Sequence, residues 1–215
     1  MAKIENILFD WDGCLADTLE LWIEAWNETF SGFGVEIGRE EVVEKAFRDW
    51  EYPVELGIED IKEFHEGIYR LVDKKMPNCS LNEGALEVVK KLYGAEKKIA
   101  VVTSSRVKTI MPAIKATGLT PYVDVILGEE NVEKLKPDPE IIQLALTKMG
   151  GSSENSIIVG DSVTDMLAGA KAGIARCLYL PKENQRIYNM YTLKQTKPDY
   201  TIEHFQELLQ ILKIV

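Results

Sequence analysis

The sequence predicts an α/β fold, a doubly wound parallel sheet with a helical insertion, and three observations lead there. Short continuous apolar runs, at 7–9, 99–102, 123–127, 157–159 and 177–180, alternate with helical patterns. Runs without a polar face are strands buried on both sides, the mark of a parallel sheet covered by helices. A stretch without such runs, residues 15–80, interrupts the alternation after the first of them. With 215 residues, of which 46% are hydrophobic, the chain can bury a full core and still carry that insertion.

The elements follow in order. The first strand, Ile7-Leu8-Phe9, ends at Asp10-Trp11-Asp12-Gly13. Leu19, Trp22, Ile23, Trp26 and Phe30 then recur at helical spacing, and Asp17 with Glu20 three residues on reads as a capping box that starts this helix. Two further helical patterns follow, at Val42, Val43, Ala46 and Phe47 and at Ile61, Phe64, Ile68, Leu71 and Val72, separated by the break at Tyr52-Pro53. Helices alternating with the later strands are read from Ala85, Val88, Val89 and Leu92; from Val107, Ile110 and Ile114; from Ile141, Ile142 and Ala145; and over 166–172. Residues 181–198 are polar and weakly patterned and read as a long surface connection, before a short run at Tyr200-Thr201-Ile202 and a last helix through Phe205, Leu208, Leu209 and Leu212. The expected division is a core of residues 1–14 and 81–215 with an inserted helical domain over 15–80.

Composition excludes several partners. A formal net charge of −10 argues against a nucleic-acid groove and against an anionic membrane surface. No apolar run approaches membrane-spanning length, and the first residues run straight into a strand, which leads us to expect a cytoplasmic protein without a signal peptide. Cys14, Cys79 and Cys177 lie far apart with no CxxC spacing and read as reduced thiols.

Parallel strands deliver their carboxyl ends to one edge of the sheet, where ligands bind in such folds. Side chains alternate along a strand, so Asp10 and Asp12 project to the same side, and Gly13 lets the chain turn. The next strand ends contribute Thr103-Ser104-Ser105, then Lys136-Pro137-Asp138 from the loop after the third strand, then Asp161 and Asp165. Anions so close repel each other, and the apolar strand leading into them disfavours charge, so a cation or a dianionic substrate partner is expected there.

Taken together, DWDGCLAD, VVTSS, KLKPDP and GDSVTD, in this order and at these strand ends, resemble the four motifs of the haloacid dehalogenase superfamily of aspartate-nucleophile phosphatases. The resemblance covers essentially the whole chain and implies a Rossmann-like core with a helical cap. It implies Asp10 as the nucleophile that forms an aspartyl-phosphate, Asp12 as the acid and base, Thr103 and Ser104 as phosphate contacts and Lys136 as a fixed positive charge. It also implies Mg²⁺, held by Asp10, Asp161, the Asp12 backbone carbonyl and Asp165, the last directly or through water. Asp17 is given no catalytic role.

Two positions depart from the family's usual motif. Trp11 stands where Phe is common and is expected to pack in the core; Cys14 stands where Thr is common, with no His base nearby. Asp12 itself points to phosphate esters, since the dehalogenase and phosphonate-cleaving branches lack the second acid. The helical insertion resembles the caps of phosphoglycolate phosphatases and β-phosphoglucomutases. Arg48, Trp50 and Lys45 are the candidate readers of the leaving group, the alternative being a solvated helix end. His65 reads as a packed side chain and His204 as surface. The expected activity is hydrolysis of a small phosphorylated metabolite, phosphoglycolate or a sugar phosphate, by a monomer or small homo-oligomer. A phosphomutase with the same core motifs is the alternative, followed by a non-catalytic phosphate-binding protein.

Overall fold

The strand β1 (Asn6–Phe9) is buried at every position and lies in the middle of the sheet. The computed structural model describes residues 3–47 and 49–214. After β1 come α1 (Leu19–Gly32), α2 (Arg39–Glu41), α3 (Tyr52–Glu55) and α4 (Ile61–Lys75). From there helices and strands alternate: α5 (Ala85–Gly94), β2 (Lys98–Val102), α6 (Val107–Ala116), β3 (Val125–Leu127), α7 (Glu140–Met149), β4 (Ser156–Gly160), α8 (Val163–Ala172) and β5 (Ala175–Tyr179). The chain ends with α9 (Met190–Gln195), β6 (Tyr200–Ile202) and α10 (Gln206–Ile211). The sheet has the order β3-β2-β1-β4-β5-β6, and every pairing is parallel.

Alternation along the strands builds two cores from one sheet. Ile7, Phe9, Ile99, Val101, Ile157 and Val159 pack on the side of α5, α6 and α10, whereas Leu8, Ala100, Val102 and Ile158 pack against α7 and α8. The fold is therefore the doubly wound α/β core that the apolar runs predicted. Trp11 is fully buried, as expected. Among the described residues no helix is long and apolar enough to cross a membrane.

The helical segment leaves and re-enters the core through adjacent chain segments. Ala16 bridges Leu81, the Asp17 N–H donates to the Ser80 carbonyl at 3.0 Å, and the Asn82 N–H donates to the Leu15 carbonyl at 2.9 Å.

Three local expectations are corrected. The capping box of Asp17 and Glu20 does not form: Thr18 is the N-cap of α1 without a side-chain cap bond, and Glu20 is engaged instead by the Arg39 guanidinium. The helix expected at 42–47 is a short α-helix, α2, running into a π-helical turn over Val42–Ala46, which still buries Val42, Val43 and Ala46. The segment 181–198 is not simply a surface connection. Leu193 joins Met166, Leu178 and Leu180 in a buried cluster, and Asn189 caps α9 by accepting from the Thr192 N–H at 3.1 Å. A polar average hid one apolar anchor and one cap.

Candidate active site

The strand order reverses between β1 and β4, and the crevice beyond their carboxyl ends is the ligand position of this architecture. The chain turns sharply there. Gly13 has φ +79°, a conformation that only glycine adopts without strain, and a side chain at this position would run into the Asp161 carboxylate and Leu19. The turn thus lets the end of β1 approach the end of β4.

Lys136 is the electrostatic centre. Its ammonium donates to Asp10 Oδ1 at 2.8 Å, to Asp165 Oδ1 at 2.6 Å and to the Val102 carbonyl at 3.2 Å, with its side chain only 2% exposed. Burial alone would lower the Lys136 pKa, but the charges of Asp10 and Asp165 outweigh it and hold the ammonium protonated. Asp10 is pushed up to about 7, first by burial and then by the charge of Asp165, against the pull of Lys136. Asp165 serves two purposes: its Oδ2 accepts from the Ser162 N–H at 3.1 Å in the capping box of α8, while Oδ1 meets Lys136.

Asp12 stands in different surroundings. Oδ1 accepts from the Thr18 hydroxyl and from the Trp22 indole N–H, both at 2.7 Å, and Oδ2 accepts from the Ser105 hydroxyl at 2.6 Å. Burial raises its pKa, and these three bonds act in the opposite direction. Two carboxylates two residues apart thus have separate partners, an ammonium for Asp10 and uncharged donors for Asp12.

Asp161 completes an acidic cluster. Single carboxylate oxygens of Asp10, Asp161 and Asp165 lie within 4.8 Å of one another. Burial, followed by the charges of Asp10 and Asp165, drives the Asp161 carboxyl well above its ordinary range. Its Oδ2 accepts from the Tyr188 hydroxyl, whereas its buried Oδ1 has no hydrogen-bond partner among the described residues. Three hard oxygen donors, one of them orphaned, with a single ammonium among four acids, fit a divalent cation such as Mg²⁺.

These groups line a cavity of about 160 Å³. Asp10, Asp12, Thr103, Ser104, Lys136 and Asp161 all face it, while Asp165 lies fully buried behind Lys136. The Thr103 hydroxyl accepts from the Ser105 N–H at 3.0 Å; it does not cap α6, whose N-cap is Arg106. The opposite wall is apolar, with Trp22, Trp26, Phe47 and Trp50.

Of the candidate readers, Trp50 lines the cavity, Arg48 lies outside the described residues, and Lys45 turns to Glu41 at 2.9 Å and the Tyr52 hydroxyl at 3.1 Å. His65 is packed edge-on against the Trp50 ring with its Nε2 2.8 Å from the Trp50 carbonyl oxygen, and His204 is exposed. The buried Cys14 thiol donates to the Val159 carbonyl at 3.4 Å and is driven well above its ordinary pKa by burial and then by Asp161, which makes it a poor nucleophile.

Sequence reasoning missed Thr18, Trp22 and Tyr188 as site residues. Trp22 sits on the apolar stripe of α1 and read as core, although a buried indole N–H needs a partner and an acid was close in sequence. Tyr188, an aromatic in a polar stretch, left no spacing signal.

Residues 7–179 match the family model described as haloacid dehalogenase-like hydrolase. The pyrophosphatase PpaX of Halalkalibacterium halodurans is 31% identical over 222 residues, covering 99% of this chain and 98% of the relative. The crystal structure of CbbY from Rhodobacter sphaeroides in complex with phosphate is 25% identical with a TM-score of 0.80, over 95% of this chain and 96% of that one. That of a predicted phosphoglycolate phosphatase from Haemophilus somnus, 23% identical, has a TM-score of 0.83 over 98% and 99% of the two chains and shares the fold.

Proposed function

The chain belongs to the haloacid dehalogenase-like hydrolases and is a phosphatase, and we propose that it hydrolyses small phosphorylated metabolites through an aspartyl-phosphate on Asp10. The observation that carries this reading is the separation of the two motif acids, Asp10 on the Lys136 ammonium at 2.8 Å and Asp12 on three uncharged donors. Two carboxyl groups with different surroundings divide nucleophile from acid and base.

In the proposed sequence an Asp10 oxygen attacks phosphorus, and the ester oxygen departs with the proton of Asp12. A water then gives its proton to Asp12 and attacks phosphorus, which returns Asp10 as a carboxylate and releases phosphate. Lys136, Thr103 and Ser104 hold the phosphoryl oxygens through the transfer. Mg²⁺ held by Asp10, Asp161 and Asp165 would neutralise the phosphoryl charge and keep the nucleophile ionised.

We assign residues 1–14 and 81–215 to the catalytic core and residues 15–80 to a cap, supported by the adjacent entry and exit at Ala16 and Leu81. The cap supplies the aromatic wall that excludes water from the cavity. The cavity suits small esters of the phosphoglycolate and sugar-phosphate class, and the relative named a pyrophosphatase adds pyrophosphate to the substrates to test. Acting on small metabolites, the enzyme would work in the cytoplasm.

The test is a panel of these phosphates with Mg²⁺ and after EDTA dialysis, read as free phosphate and as isomerised sugar phosphate. Phosphate release that needs the metal and disappears in Asp10→Asn is the expected result. Turnover by Asp10→Asn within about tenfold of the parent, near 1.4 kcal/mol of barrier, would remove Asp10 as nucleophile, and an isomer in place of phosphate would turn the reading to a mutase.

A further inference from the structure

We propose that Trp22, a residue of the helical insertion, is a positioning residue for the proton transfer. Its indole N–H fixes which oxygen of Asp12 carries the transferable proton. This rests on the hydrolase reading above and adds a residue that the motifs do not contain.

The assignment follows from donor and acceptor inventory. An indole N–H can only donate, so Asp12 Oδ1, at 2.7 Å from Trp22 Nε1, is held as an acceptor in every protonation state. Thr18 donates to the same oxygen at 2.7 Å, so with both donors in place Oδ1 is the doubly accepting oxygen and the poorer site for a proton. Oδ2 has a different neighbour, the Ser105 hydroxyl at 2.6 Å, and a hydroxyl can reverse from donor to acceptor when the carboxyl gains its proton. The proton passed to the leaving oxygen, and later taken from water, therefore belongs on Oδ2.

Trp22 cannot easily turn away. It is 6% exposed, and Tyr69 packs edge-on against it with ring centroids 5.7 Å apart, as does Trp50 at 6.3 Å. Both neighbours are residues of the insertion, so the acid of the core is aligned only when the insertion is docked with its aromatic cluster in place. Without Trp22, the carboxyl keeps two rotatable hydroxyl partners, Thr18 on Oδ1 and Ser105 on Oδ2, and either can reverse to accept a proton, so nothing distinguishes the two oxygens.

Two esters separate this role from a structural one. Benzyl phosphate has a poor leaving group that needs the acid, whereas p-nitrophenyl phosphate leaves with little protonation. Trp22→Phe removes the N–H; replacing Trp22 by β-(3-benzothienyl)alanine removes it while keeping the bicyclic shape, and serves if the Phe variant folds poorly. We expect the first phosphoryl transfer, read as alcohol or phenol released in a single turnover, to slow about tenfold for benzyl phosphate in both and to change within about twofold for p-nitrophenyl phosphate, the size of one hydrogen bond to a charged group. The later attack of water uses Asp12 whichever ester was bound, so the steady-state rates do not make this distinction. Equal losses on the two esters, or none, with an active parent enzyme overturn the role of Trp22 alone. A parent enzyme that releases phosphate from neither ester overturns the hydrolase reading, and this inference with it.

Discussion

The guanidinium carbon of Arg106 lies 3.7 Å from the centroid of the Tyr69 ring. Tyr69 belongs to α4 and Arg106 is the N-cap of α6, so this stack joins the helical segment between β1 and β2 to the helix that follows β2. Arg106 also meets Glu66 at 2.8 Å, and the Tyr69 hydroxyl donates to Glu129 at 2.7 Å.

Arg106→Ala should therefore lower stability by about 1 kcal/mol, mostly through the lost stack, because the ion pair with half-exposed Glu66 contributes little in water. Arg106→Lys keeps the charge but not the planar group and should fall between the two. Urea unfolding of both variants checks this. An unchanged midpoint in Arg106→Ala would show that the stack contributes nothing.

A pair of glycine substitutions separates backbone strain from damage to the site. Gly13 and Gly34 have φ +79° and +76°, but a side chain at Gly34 meets nothing within 4 Å, whereas one at Gly13 strikes the Asp161 carboxylate. Gly34→Ala should cost only the left-handed backbone penalty, about 1–2 kcal/mol. Gly13→Ala should cost more and also weaken Mg²⁺ binding measured by calorimetry, since Asp161 must move. Equal stability losses and equal metal affinity would detach Gly13 from the acidic cluster.

Most of the core was legible because its signals are local. Apolar runs without a polar face mark β1, β2, β4 and β5, and the residue two after Asp10 shares its side of the chain by simple alternation. What the sequence concealed depends on competition at a distance. Glu20 could cap α1 or pair with Arg39 nineteen residues away, and the ion pair prevailed. Tyr188 reaches Asp161 from a stretch whose average polarity suggested solvent. Trp22 served the apolar stripe of α1 and the acid at once, and periodicity reports only the first.

The thiols make a prediction about pH. Cys79 is half-buried, and its thiol is pushed up to about 11 by burial and by the charges of Asp12 and Asp17. A raised thiol pKa means less thiolate at neutral pH, so iodoacetamide should label Cys79 slowly near pH 7.5 and about tenfold faster for each pH unit up to about 9.5. The buried Cys14 and Cys177 should stay unlabelled until the protein unfolds. Rapid labelling near neutral pH, mapped by peptide mass, would contradict these environments.

Lys136, the fixed charge of the proposed mechanism, is also the partner that lets two carboxylates remain buried. Lys136→Ala removes the ammonium between Asp10 and Asp165 and leaves them facing each other without a cation. Breaking a buried pair typically costs about 3–5 kcal/mol, unless the stranded acids take up protons instead. That alternative fixes the sign of the pH dependence. In the variant, Asp10, already raised in the parent, rises further above its unfolded value, so the folded state binds more protons than the unfolded one and stability falls as pH increases between the two values. The deficit against the parent should thus be small near pH 5 and largest near pH 8, and Mg²⁺ should restore part of it by supplying the missing positive charge. Activity should fall by about a hundredfold or more through loss of a preorganised charge contact. Urea unfolding at both pH values, with and without Mg²⁺, decides the matter: the same deficit at each pH and no response to the metal would mean that Lys136 acts by packing alone.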